Sequence, residues 1–230
     1  MPVGCLSFGV RTLDALLEGG VEPGALCELY GEGGSGKTNL CLALATEAAR
    51  QEKWTLYLDT EGISFSRLEQ IAKGKGLELP RVLRRMLITT PRTLPEQERS
   101  VERICALAAG RERTVGLIVV DSATMLYRLD LGLEQESLAR QSLTGQMAAL
   151  LHVAVELDLP VVFTNQVFRN PDTRDFEPIG GSFLNHAAKT VLRLERGENG
   201  WRRATLVKHR SLPEGGQAEF RLTNEGVTDR

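Results

Sequence analysis

The chain has 230 residues, 42% of them hydrophobic, which is enough apolar sequence for one α/β domain over residues 1–230 with a sizeable core. Its formal net charge of −2 excludes a general attraction to nucleic acid, so contact with DNA would need a local basic patch. No segment approaches the roughly 18 apolar residues of a membrane span and no signal peptide is visible, so we expect a cytoplasmic protein without membrane contact.

The first elements expected along the chain lead into a glycine-rich loop. Residues 5–20 are predicted to form a short strand and an amphipathic helix that stops at Gly19 and Gly20. Residues 26–30 are mostly apolar and follow a Pro-Gly pair, which is typical of a buried strand after a turn. Residues 39–50 contain no Gly or Pro and are predicted to be helical.

A phosphate-binding loop, the Walker A motif G-x-x-x-x-G-K-[ST], lies between this strand and this helix. Its glycines let backbone amides point at phosphate, and the start of the helix adds a partial positive charge. Lys37 is expected to contact the β- and γ-phosphates, and the Thr38 hydroxyl to ligate Mg²⁺. The motif therefore predicts ATP and Mg²⁺ as cofactors. The residues expected to bind them are Gly31, Glu32, Gly33, Gly34, Ser35, Gly36, Lys37, Thr38 and Asn39.

Two carboxylates follow the next predicted strand, at residues 54–58. Open parallel sheets bind ligands at the carboxyl ends of their strands, so Asp59 and Glu61 are expected in the same crevice as the phosphate loop. The pattern leaves open which of the two acts. No chemistry is assigned to the elements predicted after them, at residues 64–75, 86–89 and 95–109.

Two further predicted strands end in polar residues at the same edge. Residues 116–121 form a continuous apolar run ending in Asp121, which is predicted to hold Mg²⁺ beside Thr38. A loop from residue 126 to about residue 135 and a long helix to residue 158 then lead to a strand that ends in Asn165 and Gln166. Both amide side chains are therefore expected at the crevice.

The last third of the chain is expected to close one edge of the sheet. Residues 168–185 are rich in Gly, Pro and charge and are predicted to be an exposed, mobile loop. Three alternating segments predict antiparallel strands at residues 190–195, 203–208 and 218–222. Residues 189–210 carry a local formal charge of +5, a candidate DNA site unless strand alternation divides the charges between two faces.

The joint pattern resembles the RecA-like recombinase core, and within it the archaeal RadA and RadB group. The resemblance spans nearly the whole chain. Besides the phosphate loop and residues 13–21, it rests on Leu56-Tyr57-Leu58-Asp59-Thr60-Glu61-Gly62, Thr164-Asn165-Gln166-Val167 and Pro178-Ile179-Gly180-Gly181. It implies a RecA-like P-loop ATPase core with a mostly parallel central sheet flanked by helices and antiparallel strands at the C-terminal edge.

The resemblance also implies roles for individual residues. Glu61, rather than Asp59, matches the glutamate that polarises the attacking water. Gln166 matches the residue that senses the γ-phosphate and relays its state to the following loop, and Asp121 matches the magnesium aspartate. With Lys37, the predicted catalytic residues are therefore Glu61 and Gln166, and the predicted metal ligands are Thr38 and Asp121.

Three basic residues near the C-terminus each have two interpretations. His186 matches a histidine near the phosphates in RadA-like proteins, and the alternative is an ordinary polar histidine at the end of a loop. Lys208 and Arg210 occupy the place of basic residues that reach the nucleotide of a neighbouring subunit, and the alternative is a solvated strand face.

Two features depart from RadA. RadA carries a helix-hairpin-helix DNA-binding domain and a polymerisation motif before its core, whereas this chain begins at the core, so the core-only RadB members fit best and autonomous long filaments are not expected. The two loops that match the family's DNA-binding loops, residues 128–140 and 168–186, each carry a formal charge of −1. Strand exchange by this chain alone is therefore not expected.

The leading functional hypothesis is a weakly hydrolysing, DNA-dependent ATPase that assists homologous recombination and DNA repair. It would bind DNA weakly, mainly through phosphates and with single strands favoured, and the candidate protein partners are a RadA recombinase, a Holliday-junction resolvase or further copies of the chain. The alternatives are a competent strand-exchange recombinase, a KaiC-like regulatory ATPase and a nucleotide-regulated interaction module. Only the recombinase hypotheses predict coupling between ATP and DNA.

Overall fold

A computed structural model describes residues 4–110, 114–129, 131, 136–169, 176–180 and 182–229. Its main feature is a nine-stranded sheet in which parallel strands form one part and antiparallel strands the other. The strands of this sheet are β1 (Ala25–Tyr30), β2 (Trp54–Asp59), β3 (Met86–Thr89), β4 (Val115–Asp121), β5 (Pro160–Asn165), β8 (Thr190–Arg196), β9 (Trp201–Lys208), β10 (Gln217–Thr223) and β11 (Gly226–Asp229). Two short strands, β6 (Val167–Arg169) and β7 (Phe176–Pro178), form a separate hairpin.

The strand order is β11-β10-β9-β8-β1-β5-β4-β2-β3. All pairings from β8 through β1 to β3 are parallel, and those from β8 to β11 are antiparallel. The predicted α/β class, the mostly parallel central sheet and the antiparallel C-terminal edge are confirmed. Because β1 lies between two parallel neighbours and is buried throughout, the loop that follows it emerges at the centre of the ligand-binding edge.

Helices cover both faces of the sheet and divide the apolar interior into two clusters. One cluster contains the buried residues of α2 and α3, and the other those of α5 and α7. Side chains along β1 point to the two faces of the sheet in turn, so this strand contributes to both clusters. Leu29 faces the α2 side and Leu26 the α7 side. The helices are α1 (Arg11–Leu16), α2 (Lys37–Arg50), α3 (Phe65–Gly74), α4 (Leu79–Leu83), α5 (Leu94–Ala109), α6 (Met125–Leu129), α7 (Glu136–Leu157) and α8 (Ser182–Ala187).

Two helices beside the ligand-binding edge begin at side-chain caps. Ser64 accepts a hydrogen bond from the backbone N–H of Arg67 at the start of α3, and Thr93 accepts one from Glu96 at the start of α5. Each cap satisfies a backbone donor that has no partner inside its helix, which contributes about 1 kcal/mol. In the described part of the chain, no helix is long and apolar enough to cross a membrane.

The structure differs from the sequence prediction at short elements. The expected first strand is a single bridge between Leu6 and Val21, and α4 and β11 have no counterpart in the prediction. The described part of the predicted loop at 126–135 contains α6, and that at 168–185 contains β6, β7 and α8. Elements of three to six residues carry too little periodic pattern to be recognised, because tertiary contacts decide their conformation.

Candidate functional site

A cavity of about 300 Å³ opens at the carboxyl ends of the central strands. The predicted phosphate-binding residues line it, except Ser35, which is fully buried. The described residues that line it are Gly31, Glu32, Gly33, Gly34, Gly36, Lys37, Thr38, Asn39, Glu61, Arg128, Gln166, Val167 and Phe176. The structure therefore brings the phosphate loop, Glu61 and Gln166 together around one space.

Two glycines explain the tight path of the phosphate loop. Gly36 has a φ of 105°, and α2 begins directly after it at Lys37. Gly31 has a φ of 155°, and a Cβ added there would lie 2.2 Å from the carbonyl oxygen of Leu194 on β8. A side chain is excluded at Gly31 by that contact and disfavoured at Gly36 by its left-handed backbone.

The Lys37 ammonium lies against the loop that carries it. Its Nζ donates hydrogen bonds to the carbonyl oxygens of Gly31, at 2.7 Å, and Glu32, at 3.1 Å. Burial lowers the pKa of Lys37, while the nearby Glu61 and Asp121 act in the opposite direction. The ammonium is therefore held over the centre of the loop, where phosphate would replace neutral carbonyls as its partner.

Asp121, the last residue of β4, is almost completely buried beside the start of α2. Its carboxylate accepts hydrogen bonds from Thr164 Oγ1 at 2.6 Å and from Tyr57 Oη at 2.8 Å, and the Thr38 side chain also bonds to it. Burial raises the pKa of Asp121 despite these bonds. A hydroxyl and a carboxylate in contact are hard oxygen donors, so the residues present fit Mg²⁺ that retains several waters.

Asp59 and Glu61 have different environments in the turn after β2. Asp59 accepts backbone hydrogen bonds from Glu61, Gly62 and Ile63 at 2.8–3.2 Å, so its carboxylate shapes the turn. Glu61 is exposed and lines the cavity. Of the two carboxylates, it is Glu61 that lies in the cavity.

Gln166 contacts Glu61 across the cavity. The Gln166 Nε2 donates to Glu61 Oε1 at 2.6 Å, although the two residues are 105 positions apart in the chain. The Gln166 Oε1 is buried and has no hydrogen-bond partner among the described residues. That amide oxygen is available to accept a hydrogen bond from a ligand or an attacking water.

A buried polar network supports Gln166 from behind. Asn165 Nδ2 donates to Glu28 Oε1 on β1 at 2.7 Å and to the carbonyl of Ile179 at 2.9 Å. Thr124 Oγ1 donates to Asn165 Oδ1 at 2.8 Å and accepts from the Gln166 backbone at 3.2 Å. Asn165 thus links the strand before the phosphate loop to the segment after β7, a role that its position at a strand end did not reveal.

Glu28 within this network gives a pH-dependent prediction. Glu28 is fully buried, and its Oε2 has no hydrogen-bond partner among the described residues. Burial raises the pKa of Glu28 to about 7, although the hydrogen bond from Asn165 and the charge of Lys208 both act to lower it. Because the folded pKa lies above the unfolded one, the folded state retains the proton longer. Its contribution to stability is therefore present at low pH and is lost as pH rises toward 7.

Glu28→Gln keeps the oxygen that accepts from Asn165 and removes this titration. Between about pH 5 and about pH 6.5, we expect the free energy of unfolding of the wild type to fall relative to the variant by about 2 kcal/mol. Denaturant unfolding of both proteins across this range measures the difference between their free energies of unfolding. The other buried carboxyls are the same in both proteins, so their contributions cancel in this difference. Parallel pH curves for the two proteins would contradict the burial of a titrating carboxyl here.

Strand alternation divides the basic segment at residues 189–210 between two faces. Arg203 forms an ion pair with Glu219 at 3.1 Å, and Arg193 one with Glu195 at 3.4 Å. Arg202, on the opposite face from Arg203, donates from Nε to the carbonyl of Gly34 in the phosphate loop at 3.0 Å. The structure thus favours the alternative interpretation, in which these charges do not form one continuous DNA-binding surface.

The other basic residues singled out from the sequence lie away from the phosphate loop cavity. His186 is exposed on α8 and does not line it. Lys208 Nζ donates to the carbonyl of Ala188 at 2.8 Å, and Arg210 forms an ion pair with Glu22 at 2.8 Å. These contacts within the chain leave the expected reach of Lys208 and Arg210 toward a neighbouring subunit as a prediction.

Three residues in the cavity wall were not predicted as nucleotide-site residues. Arg128 lies in the last turn of α6, Val167 belongs to β6 and Phe176 to β7. The sequence analysis placed Arg128 and Phe176 only in the loops expected to face DNA. Five of the charged residues in the loops at 128–140 and 168–186 lie outside the described residues, and so does Gly181. The five are Asp130, Glu134, Asp172, Arg174 and Asp175. The described parts of both loops border the candidate nucleotide site.

Comparison with known proteins agrees with this geometry. The family model that matches is Rad51, over residues 2–230. The DNA repair and recombination protein RadB of Methanococcoides burtonii is 41% identical over 218 residues, covering 94% of each chain. The protein of the same name from Archaeoglobus fulgidus is 38% identical over 220 residues, covering 95% of this chain and 96% of that one.

A solved structure shows the same fold. It is described as the crystal structure of the RadB recombinase and superposes with a TM-score of 0.82 at 35% identity. The match covers 98% of this chain and 99% of that one. The RecA-like fold and the resemblance to the RadA and RadB group, both predicted from the sequence, are confirmed.

Proposed function

This chain belongs to the Rad51 family of RecA-like recombination and repair proteins, and we propose that it is an ATP-binding, weakly hydrolysing member that assists recombination by binding DNA and recombination proteins. The observation that carries the proposal is the hydrogen bond of 2.6 Å between Gln166 and Glu61. Gln166 is followed at once by the β6–β7 hairpin, so the residue that faces the reacting phosphate begins the segment assigned to DNA.

The chain's own residues divide the proposed hydrolysis into binding and activation. Lys37 and the backbone amides of the phosphate loop would bind the β- and γ-phosphates, and Thr38 and Asp121 would hold Mg²⁺, which when bound neutralises phosphate charge. Glu61 would orient and polarise the attacking water. Gln166, already hydrogen-bonded to Glu61, would change partner when a γ-phosphate is present, and the hairpin that follows would move with it.

DNA binding is proposed to involve the described loop segments rather than the whole basic stretch at 189–210. Arg128 lies at the cavity wall beside the β6–β7 hairpin, and Phe168 and Phe176 on that hairpin are about half exposed, at 45% and 52%. Aromatic side chains can stack on the bases of single strands, and arginines contact phosphates. Candidate protein partners are a RadA recombinase and a Holliday-junction resolvase, as the resemblance implies.

The proposed function is tested by ATP turnover with and without single-stranded DNA. We expect slow turnover without DNA and faster turnover with it, because DNA bound to the hairpin after Gln166 would act on the residue that contacts Glu61. Lys37→Ala supplies the background rate. Turnover that is indifferent to DNA would contradict the proposal and point to a regulatory ATPase, and no turnover with firm ATP binding would point to an interaction module.

A further inference from the structure

The β6–β7 hairpin is closed at its base by hydrogen bonds that do not involve the Gln166 side chain. The backbone N–H of Ile179, directly after β7, donates to the Gln166 carbonyl at 2.9 Å. The Ile179 carbonyl in turn accepts from Asn165 Nδ2 at 2.9 Å. Asn165 therefore contacts the far end of the hairpin, at Ile179, whereas the bond between Gln166 and Glu61 lies at its near end.

Asn165 is held in place by the strand that carries the phosphate loop. It is fully buried, and its Nδ2 also donates to Glu28 Oε1 on β1 at 2.7 Å. Thr124 Oγ1 donates to Asn165 Oδ1 at 2.8 Å, so both polar atoms of this amide are bonded. β1 runs directly into the phosphate loop at Gly31. The side chains of Glu28 and Asn165 thus join the far end of the hairpin to that strand.

Glu28 is the ionisable member of this link, and its surroundings carry little charge. Its neighbours across the sheet are Phe163 on β5 and Val191 on β8, and the buried residues of α7 on the same side are uncharged. Lys208 on β9 is the one charged group among the described residues that acts on Glu28. Two titratable neighbours on β1 itself remain neutral because burial raises their pKa values; they are Cys27 and Tyr30.

Ionisation of Glu28 places an unpaired charge inside this link. Its Oε2 is buried without a hydrogen-bond partner among the described residues, and burial raises the pKa of Glu28 to about 7. Such a carboxylate is stabilised when the surrounding network opens and water reaches it. Because the pKa in the closed link lies above that of a hydrated glutamate, the closed form is favoured at low pH. It loses stability as pH rises to about 7, and the loss levels off above that pH.

We propose that Glu28 and Asn165 are positioning residues that anchor the far end of the β6–β7 hairpin to the strand of the phosphate loop, and that loss of the Glu28 proton favours release of this anchor. The hairpin would then be linked to the nucleotide site at both ends, by Gln166 at the near end and by this anchor at the far end. The consequence for DNA rests on the proposed function, in which the hairpin contacts DNA. The anchor itself does not depend on that function.

Amide hydrogen exchange at Ile179 tests the anchor in the absence of nucleotide and DNA. Glu28→Gln keeps an acceptor for Asn165 and removes the titration. We therefore compare the exchange rate of the wild type with that of the variant at each pH, because this ratio cancels the intrinsic pH dependence of exchange. The ratio should rise about 10-fold between about pH 6 and about pH 8, as linkage predicts for a carboxyl whose pKa is about 4.3 when hydrated and about 7 in the closed link.

The control amide is that of Gly197, which donates to the Trp201 carbonyl in the turn between β8 and β9. This exposed turn opens without Glu28, so its exchange ratio should stay the same across the pH range. A ratio at Ile179 that does not change with pH would overturn the inference. Such a result would show that the anchor does not respond to the Glu28 proton.

Glu28→Ala removes the acceptor altogether and provides the functional readout. We expect it to weaken the affinity for single-stranded DNA in the presence of ATP and Mg²⁺ by about 5-fold or more, because Asn165 loses a buried partner. Glu28→Gln should restore the wild-type affinity, and ATP affinity should stay within about 2-fold in both variants, because the phosphate loop is unchanged. Unchanged DNA affinity in Glu28→Ala would contradict the role of the anchor in DNA binding. A wild type that binds no DNA would contradict the proposed function instead, and the exchange ratio at Ile179 would still decide whether the anchor exists.

Discussion

Lys37→Ala is expected to abolish the stabilisation that ATP with Mg²⁺ gives to the wild-type protein. At about a hundred times the dissociation constant, a ligand that binds only the folded state adds about 2.7 kcal/mol to the free energy of unfolding. For a chain of this length that corresponds to a rise in melting temperature of about 5–10 °C. The variant loses this rise because the Lys37 ammonium, held over the loop by two carbonyls, is the only cation of the Walker A motif itself.

A melting experiment with and without ATP and Mg²⁺ measures this effect. Lys73→Ala is a matched control, because Lys73 is an exposed lysine on α3 that pairs with Glu69 and is not part of the cavity wall. It should keep the full ligand-induced rise. A wild-type melting temperature that does not change with ATP and Mg²⁺ would contradict the assignment of this loop as an ATP-binding site.

Glu61→Gln is expected to retain ATP binding while lowering hydrolysis by about 10²–10⁴-fold. The amide has the same shape and can still accept the hydrogen bond from Gln166, but it cannot act as a base toward water. Binding is preserved because the phosphate loop and its lysine are unchanged. Single-turnover hydrolysis together with ATP affinity separates the two effects.

Asp59→Asn provides the comparison within the same turn. Asp59 uses both oxygens to accept backbone N–H groups, so the variant should lose about 1 kcal/mol of stability and retain more turnover than Glu61→Gln. Turnover in Glu61→Gln equal to the wild type would show that this glutamate does not activate water. A larger loss of turnover in Asp59→Asn than in Glu61→Gln would indicate that Asp59, and not Glu61, activates the water.

The centre of the fold was predictable because its signals are local. β1, the phosphate loop and α2 are encoded by one apolar run, one motif and one segment free of Gly and Pro. β4 and β5 are continuous apolar runs whose polar ends mark the edge of the sheet. Sequence patterns placed Asp121, Glu61 and Gln166 at that edge and predicted Asp121 as a magnesium ligand, whereas the roles of Glu61 and Gln166 depended on the family resemblance.

Contacts between distant segments were not predictable. Nothing near Glu28 in the sequence indicates that Asn165 would bond to it, and the short α6 and β7 place Arg128 and Phe176 in the cavity wall through tertiary packing. The basic segment shows the limit of charge counting. Arg202 and Arg203 are adjacent in the chain, yet the pleat sends one to the phosphate loop and the other to Glu219.

The central claim is that the nucleotide and DNA sites are coupled through Gln166. It is tested most directly by the affinity of Glu61→Gln for single-stranded DNA, at fixed salt, with Mg²⁺ and ATP and again without nucleotide. The hydrolysis-deficient variant holds the triphosphate state, so we expect ATP to change DNA affinity by about 5-fold or more, and DNA to change ATP affinity by the same factor. Equal DNA affinity in the two states would contradict the coupling and, with it, the proposed role in recombination.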